Sequence, residues 1–281
     1  MRLIRFGEPG QEKPGVVLQN GTRLDVSAFV RDYDEAFFSN QGIVELQANL
    51  SSAPKVDRSI RLGPPICKPS KIVCIGLNFR DHAKESKMQI PDEPVIFFKA
   101  TSSLAGPNDD LVMPRNASKV DWEVELAVVI GKRASYIAKE QALEYVAGYT
   151  LHNDYSERSF QFERGGQWVK GKSADTFAPL GPFLVTRDEM SDTGRLSMWL
   201  KVNGELRQKS SSSQMIFGVP TLVSYVSEFM SLLPGDVIST GTPAGVAHGQ
   251  NTPRYLKPGD VVELGIDGLG ESRQTVTTWR P

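Results

Sequence analysis

Apolar residues in this chain come in short clusters, and each cluster predicts a small element. Leu3 to Phe6 and Val16 to Leu18 are β-prone, with Asn20-Gly21 a hairpin turn signal just after them. A mixed helical region runs to about Leu50. Ser51 to Pro69 is polar and carries Pro54, Pro64, Pro65 and Pro69, so a boundary falls there. The reading is a small N-terminal domain over 1–67 and a larger one over 68–281. In the second part, Lys71 to Leu77 (KIVCIGL) predicts a buried strand, Asn78 to Met88 a polar helix, Val95 to Phe98 a strand and Trp122 to Ile130 a long one. Lys139 to Ala147 predicts a helix stopped by Gly148. Trp199 to Val202 and Glu205 to Arg207 flank a second hairpin signal, Asn203-Gly204, and Ser210 to Ser213 reads as loop. Leu222, Val223, Val226, Phe229, Met230 and Leu233 recur at helical spacing, between a Thr221 N-cap and Pro234-Gly235. Val237 to Ser239, Val261 to Leu264 and Gln274 to Thr278 are short strands. Strands outnumber helices and do not alternate with them, which predicts a β-rich α+β fold rather than a doubly wound sheet.

Composition narrows the function classes. The 281 residues are 40% hydrophobic and 23% charged, an ordinary globular mixture. Lys+Arg number 32 against 33 Asp+Glu, so the global basic excess of a nucleic-acid binder is missing. No apolar run is long enough for a membrane span. The opening MRLIRFGEPG lacks the apolar core of a signal peptide, so the expectation is a soluble, cytoplasmic protein. Two cysteines, Cys67 and Cys74, cannot build a disulfide framework and read as buried small hydrophobes.

Gly166 to Ser173 (GQWVKGKS) matches the phosphate-loop pattern letter for letter. The chemistry needs a buried strand before it and a helix after it. Ser156 to Arg164 is too charged for such a strand, and Pro179 and Pro182 deny a useful helix. Nucleotide hydrolysis is therefore set aside.

The sharpest local signal is Asp121 to Ile130 (DWEVELAVVI). In a strand Glu123 and Glu125 share one face, with Trp122, Val124 and Leu126 on the other. A surface strand with polar residues outward alternates in the same way. The wholly apolar run Leu126 to Ile130 favours a central strand, where paired carboxylates demand a cation or a proton. Asp154 ends the β-prone run from Tyr149 and offers a third oxygen ligand; a turn or helix cap would use it equally well. Three carboxylates suit Mg²⁺ or Mn²⁺. Zinc fits less well, since the three histidines, His82, His152 and His248, show no metalloprotease spacing. His82 and Glu85, three apart on a helix, would let a carboxylate orient an imidazole base, unless they only decorate a solvated face.

Together these residues resemble the fumarylacetoacetate hydrolase superfamily: Gly76-Leu77-Asn78-Phe79 leading to His82-x-x-Glu85, then Glu123-x-Glu125, Asp154, Lys172, and Ser239 to Val246 (STGTPAGV). The match runs from about Lys68 to the C-terminus. Within the superfamily the chain looks most like bacterial hydrolases of 2,4-diketo-3-deoxy sugar acids of the L-rhamnonate or L-fuconate type. The resemblance implies a β-roll-like catalytic domain, commonly a homodimer, holding Mg²⁺ or Mn²⁺ on Glu123, Glu125 and Asp154. It also implies a mobile lid at His82–Glu85, an active-site Lys172, and substrate contacts from Arg158, Gln161, Gly241 and Thr242. Phe79, Arg80 and Ser102-Ser103 are expected near the substrate tail, while His152 and His248 have no assigned task.

On that basis the expected partner is a small diketo acid. His82, oriented by Glu85, would activate a water that attacks C4, giving pyruvate and a hydroxy acid such as L-lactate. Oxaloacetate decarboxylation or tautomerisation, acylpyruvate hydrolysis and ureidoglycolate cleavage are the alternatives, with a non-catalytic binding protein far behind.

Overall fold

The computed structural model describes residues 1–280. Its centre is an 11-stranded, mostly antiparallel sheet. The strand Val124–Ile130 lies in its middle, paired with Val146–Asn153 on one side and Val237–Ser239 on the other. Beyond Val237–Ser239 come Ile72–Gly76, the one parallel pairing in the sheet, and the edge strand Val95–Lys99. A second sheet of five strands contains the hairpin Ser197–Val202 and Glu205–Ser211 followed by Val261–Ile266, Gly270–Thr278 and Leu111–Met113. The fold is the expected β-rich α+β type.

Central strands are buried on both faces, and side-chain alternation divides the core accordingly. Val124, Leu126, Val128 and Ile130 join a large core with Trp122, the second sheet and the helix Val219–Phe229. Ala127 and Val129 face the other way, into a core shared with Leu3, Val16, Tyr33, Phe37, Phe38 and Leu46. The N-terminal strand Arg2–Phe6 pairs directly with Leu184–Thr186 and so extends the same sheet. Packing and hydrogen bonding therefore both cross the expected boundary near residue 67.

Several local expectations change for identifiable reasons. The helix predicted over Lys139–Ala147 is a short 3-10 turn, Lys139–Tyr145, and the central-sheet strand already begins at Val146. Gly148 is a strand residue: a Cβ there would lie 2.1 Å from the carbonyl oxygen of Val185, so close strand approach, and no helix stop, selects glycine. The apolar helix starts at Val219 with Gly218 as its N-cap, two residues before Thr221, because Pro220 supplies a preset first turn. It ends at Phe229, well before Pro234. The polar run Ser210–Ser213 is strand as far as Ser211, held by backbone pairing that no apolar pattern announces. The long strand expected from Trp122 is interrupted and resumes at Val124. The expected helix over Asn78–Met88 is confined to Arg80–Glu85. Both hairpins form as expected, Asn203 and Gly204 with φ of 53° and 78°, the left-handed pair such a turn requires.

Candidate active site

Trp122 and Glu123 break the strand just before its entry into the sheet, and this break brings Glu123 beside Glu125 and Asp154. Register does the rest: Val124 pairs with Asn153, so Asp154 leaves its strand at the same level, its backbone N–H donating to the Glu123 carbonyl at 2.9 Å. All three carboxylates are buried, and one oxygen from each lies within 4.8 Å of the others.

Cations and amides hold these oxygens. The Lys172 ammonium donates to Glu123 at 2.8 Å and to Asp154 at 2.9 Å. Lys99 reaches the other Asp154 oxygen at 2.5 Å and the Tyr155 carbonyl at 3.0 Å. Arg158 donates to Glu123 at 2.6 Å and to the neighbouring buried Asp121 at 2.9 Å. Glu125 accepts the Ser239 hydroxyl at 2.5 Å and the Gly241 N–H at 2.9 Å, both on one oxygen. Four buried carboxylates thus face three buried cations, which leaves one negative charge unmatched. Burial, then Asp154 and Glu123, push the Glu125 carboxyl well above its ordinary range. Burial also opposes charge on Asp154, but Lys172 and Lys99 outweigh it and hold that carboxyl far down. A divalent cation would supply what Glu125 lacks, and the all-oxygen donor set could hold a hard ion of the Mg²⁺ or Mn²⁺ kind.

A cavity of about 470 Å³ opens on this cluster. His82, Glu85, Glu123, Glu125, Arg158 and Lys172 line it, with Gln161 and Thr242 beside them. The short helix Arg80–Glu85 carries the first two, His82 Nδ1 standing 3.4 Å from Glu85. Glu85 in turn accepts the Gly245 N–H at 3.1 Å. Burial disfavours its charge, yet the bonds from His82 and Gly245 prevail and keep its pKa below the ordinary value. The opposite wall is aromatic: Phe97, Phe162 and Trp168 pack edge to face, and His248 stacks on Phe162.

Some expected residues take other positions. The Gly241 N–H is spent on Glu125, so it holds a carboxylate of the protein in place of one from a substrate. The Thr242 hydroxyl donates to the Val124 carbonyl at 3.0 Å. Phe79 is fully buried in the large core, and Arg80 donates to the Met215 carbonyl; neither they nor Ser102 and Ser103 line the cavity. Cys74 is buried, whereas Cys67 is half-buried. The phosphate-loop look-alike places only a four-residue helix, Val169–Lys172, and its lysine serves the carboxylates. Ser156–Glu157 does form a short buried strand, its charge absorbed by the N–H groups of Lys119 and Ser159.

Sequence reasoning overlooked Lys99 altogether; it quoted Asp121, Ser239 and His152 without giving any of them a role. Lys99 lies one residue past the expected strand Val95 to Phe98, and a lone lysine at that place gives no further signal. His152 is buried with Nδ1 2.6 Å from the Ser239 hydroxyl, and burial lowers its pKa to about 3.

The chain resembles known proteins over nearly its whole length. Residues 71–277 match the fumarylacetoacetate hydrolase C-terminal family model. The chain belongs to the fumarylacetoacetate hydrolase family. It is 50% identical to a 2,4-didehydro-3-deoxy-L-rhamnonate hydrolase of a Sphingomonas species, covering 100% of this chain and 97% of that one. The fumarylacetoacetate hydrolase of Exiguobacterium antarcticum superposes with a TM-score of 0.89 at 38% identity over 99% of this chain and 100% of its own. Maleylpyruvate hydrolase from Sphingobium, solved with manganese(II) and pyruvate, gives 0.83 at 29% identity over 100% of both chains. The chain is thus an enzyme, a hydrolase of this family acting on carbon–carbon bonds. Among the described residues no helix is long and apolar enough to cross a membrane.

Proposed function

We propose that this family member hydrolyses a 2,4-diketo-3-deoxy sugar acid of the L-rhamnonate type, releasing pyruvate and L-lactate. The observation that carries the reading is one cavity meeting both halves of the chemistry: Glu123 and Glu125 of the cation-demanding carboxylate triad line it, with Asp154 buried beside them, and the His82–Glu85 pair stands on its wall. The identity to a hydrolase of that substrate supports it.

Mg²⁺ or Mn²⁺ would be held by Glu123, Glu125 and Asp154 and supplies positive charge for an enolate leaving group. His82 takes a proton from water, and the ionised Glu85 orients the ring and stabilises the imidazolium. Water oxygen bonds to C4, the C3–C4 bond breaks, and its electron pair stays on the pyruvate carbon that later takes a proton. Lys172 adds a fixed positive charge at the same place. Arg158 keeps Glu123 turned inward, and Gln161, 3.1 Å from Arg158, is left beside it for a substrate oxygen. The aromatic wall suits the apolar end of a deoxy sugar acid. We take the enzyme to be a cytoplasmic homodimer, the exposed Val95 and Phe98 of the sheet-edge strand favouring a partner copy.

The test is pyruvate release from 2,4-diketo-3-deoxy-L-rhamnonate, with EDTA, Mg²⁺ or Mn²⁺, beside acylpyruvates, oxaloacetate and ureidoglycolate. Metal-dependent pyruvate from the sugar acid, at the highest kcat/KM of the panel, supports the proposal. Preference for oxaloacetate or ureidoglycolate overturns it.

A further inference from the structure

We infer that His152 and Ser239 are positioning residues for Glu125, forming a hydrogen-bonded chain that ties down one of its oxygens and leaves the other for the divalent ion. The inference rests on Glu123, Glu125 and Asp154 being an ion site.

Sheet register builds the chain. His152 lies directly across from Glu125, and Ser239 lies across from Ala127 on the opposite neighbouring strand. Residues two apart share a face, so all three side chains meet on one side of the central strand. Glu125 Oε2 receives the Ser239 hydroxyl at 2.5 Å and the Gly241 N–H at 2.9 Å. Its Oε1 has no donor among the described residues, and Glu125 lines the cavity.

With a divalent ion on its free oxygen Glu125 is ionised, and an ionised carboxylate only accepts. The serine hydrogen therefore goes to Glu125, and the serine oxygen accepts from His152 Nδ1, 2.6 Å away. This fixes the histidine tautomer with its proton on Nδ1. The remaining ring nitrogen, Nε2, is buried with no partner among the described residues. Packing alone gives no reason to keep such an atom, since an aliphatic side chain would occupy the strand position without an orphaned acceptor. The donor on the other side of the ring is the reason. Groups that orient ligand side chains in this way commonly change metal affinity by roughly 10- to 100-fold when removed.

The test is titration calorimetry of the metal-stripped full-length chain with Mn²⁺ alone, with thermal melts in EDTA to verify folding. Ser239→Ala and His152→Leu should each weaken Mn²⁺ binding by roughly 10-fold or more. The double variant should be no weaker than the worse single one, because both break one chain. His152→Asn, whose side-chain amide reproduces the donor, should restore most of the affinity. A folded Ser239→Ala chain that binds Mn²⁺ as the unaltered chain does, or losses that multiply in the double variant, would overturn the inference. If Ser239→Ala does not fold, the contrast between His152→Leu and His152→Asn decides alone. Asp154→Asn separates the two levels: if it too binds Mn²⁺ normally, the ion site itself is wrong, and the positioning chain falls with it.

Discussion

Lys99 and Asp154 form a fully buried ion pair, 2.5 Å between ammonium nitrogen and carboxylate oxygen, on the side of Asp154 that Lys172 does not reach. Asp154 is thus clamped from both sides. Removing one member of a buried pair costs about 3–5 kcal/mol because it strands the other charge. Lys99→Met should lower the metal-free urea midpoint accordingly, and saturating Mn²⁺ should recover part of the loss by neutralising Asp154. An unchanged midpoint would show that Lys172 alone suffices.

Binding to the folded chain alone stabilises it by about 2.7 kcal/mol at one hundred times Kd. Mn²⁺ at that excess should raise the Tm of the EDTA-treated protein by several degrees. Glu123→Gln or Asp154→Asn should abolish both this shift and metal-dependent turnover. A differential scan with and without ion is the measurement.

His82→Ala should leave the Mn²⁺-dependent Tm shift intact while removing hydrolysis, a loss of about 10²–10⁴-fold if proton transfer is its task. A kcat equal to that of the unaltered enzyme would end the water-activating role.

Glu85 carries a pH signature. Burial works against its charge, but His82 and the Gly245 N–H pull its folded pKa below the ordinary 4.5. A depressed carboxylate stabilises the fold above its unfolded pKa and loses that contribution as pH falls through the folded value. The Tm of Glu85→Gln should therefore trail the native protein at neutral pH, and the gap should close below pH 4.5.

Both thiols should be inert. Burial and Asp32 push Cys67 up to about 11, and burial pushes Cys74 well above its usual 9.0. At pH 8 the thiolate of Cys67 is then roughly one part in a thousand. Ellman's reagent should react with the native chain very slowly and with both cysteines at once in guanidinium.

What the sequence made legible follows from how local each signal is. Glu123 and Glu125 were readable because strand alternation and an apolar run sit in adjacent residues. The helix Val219–Phe229 was readable by its spacing, though its start was set by Pro220. Gly148 misled because a glycine after a helical pattern looks like a stop, and only the nearby Val185 carbonyl shows otherwise. The roles of Lys99, Asp121 and the His152–Ser239 pair were illegible because their meaning lies in cross-strand register and in partners 37 to 114 residues away.

The shared core carries a practical warning for anyone cutting this protein. A fragment starting at residue 68 would retain every carboxylate, lysine and histidine of the cavity. It would also bare Cys74, Ala127 and Val129 to water, the greasy continuation of the very strand face that carries Glu125. A segment that lines no part of the cavity thus backs the strands that shape it.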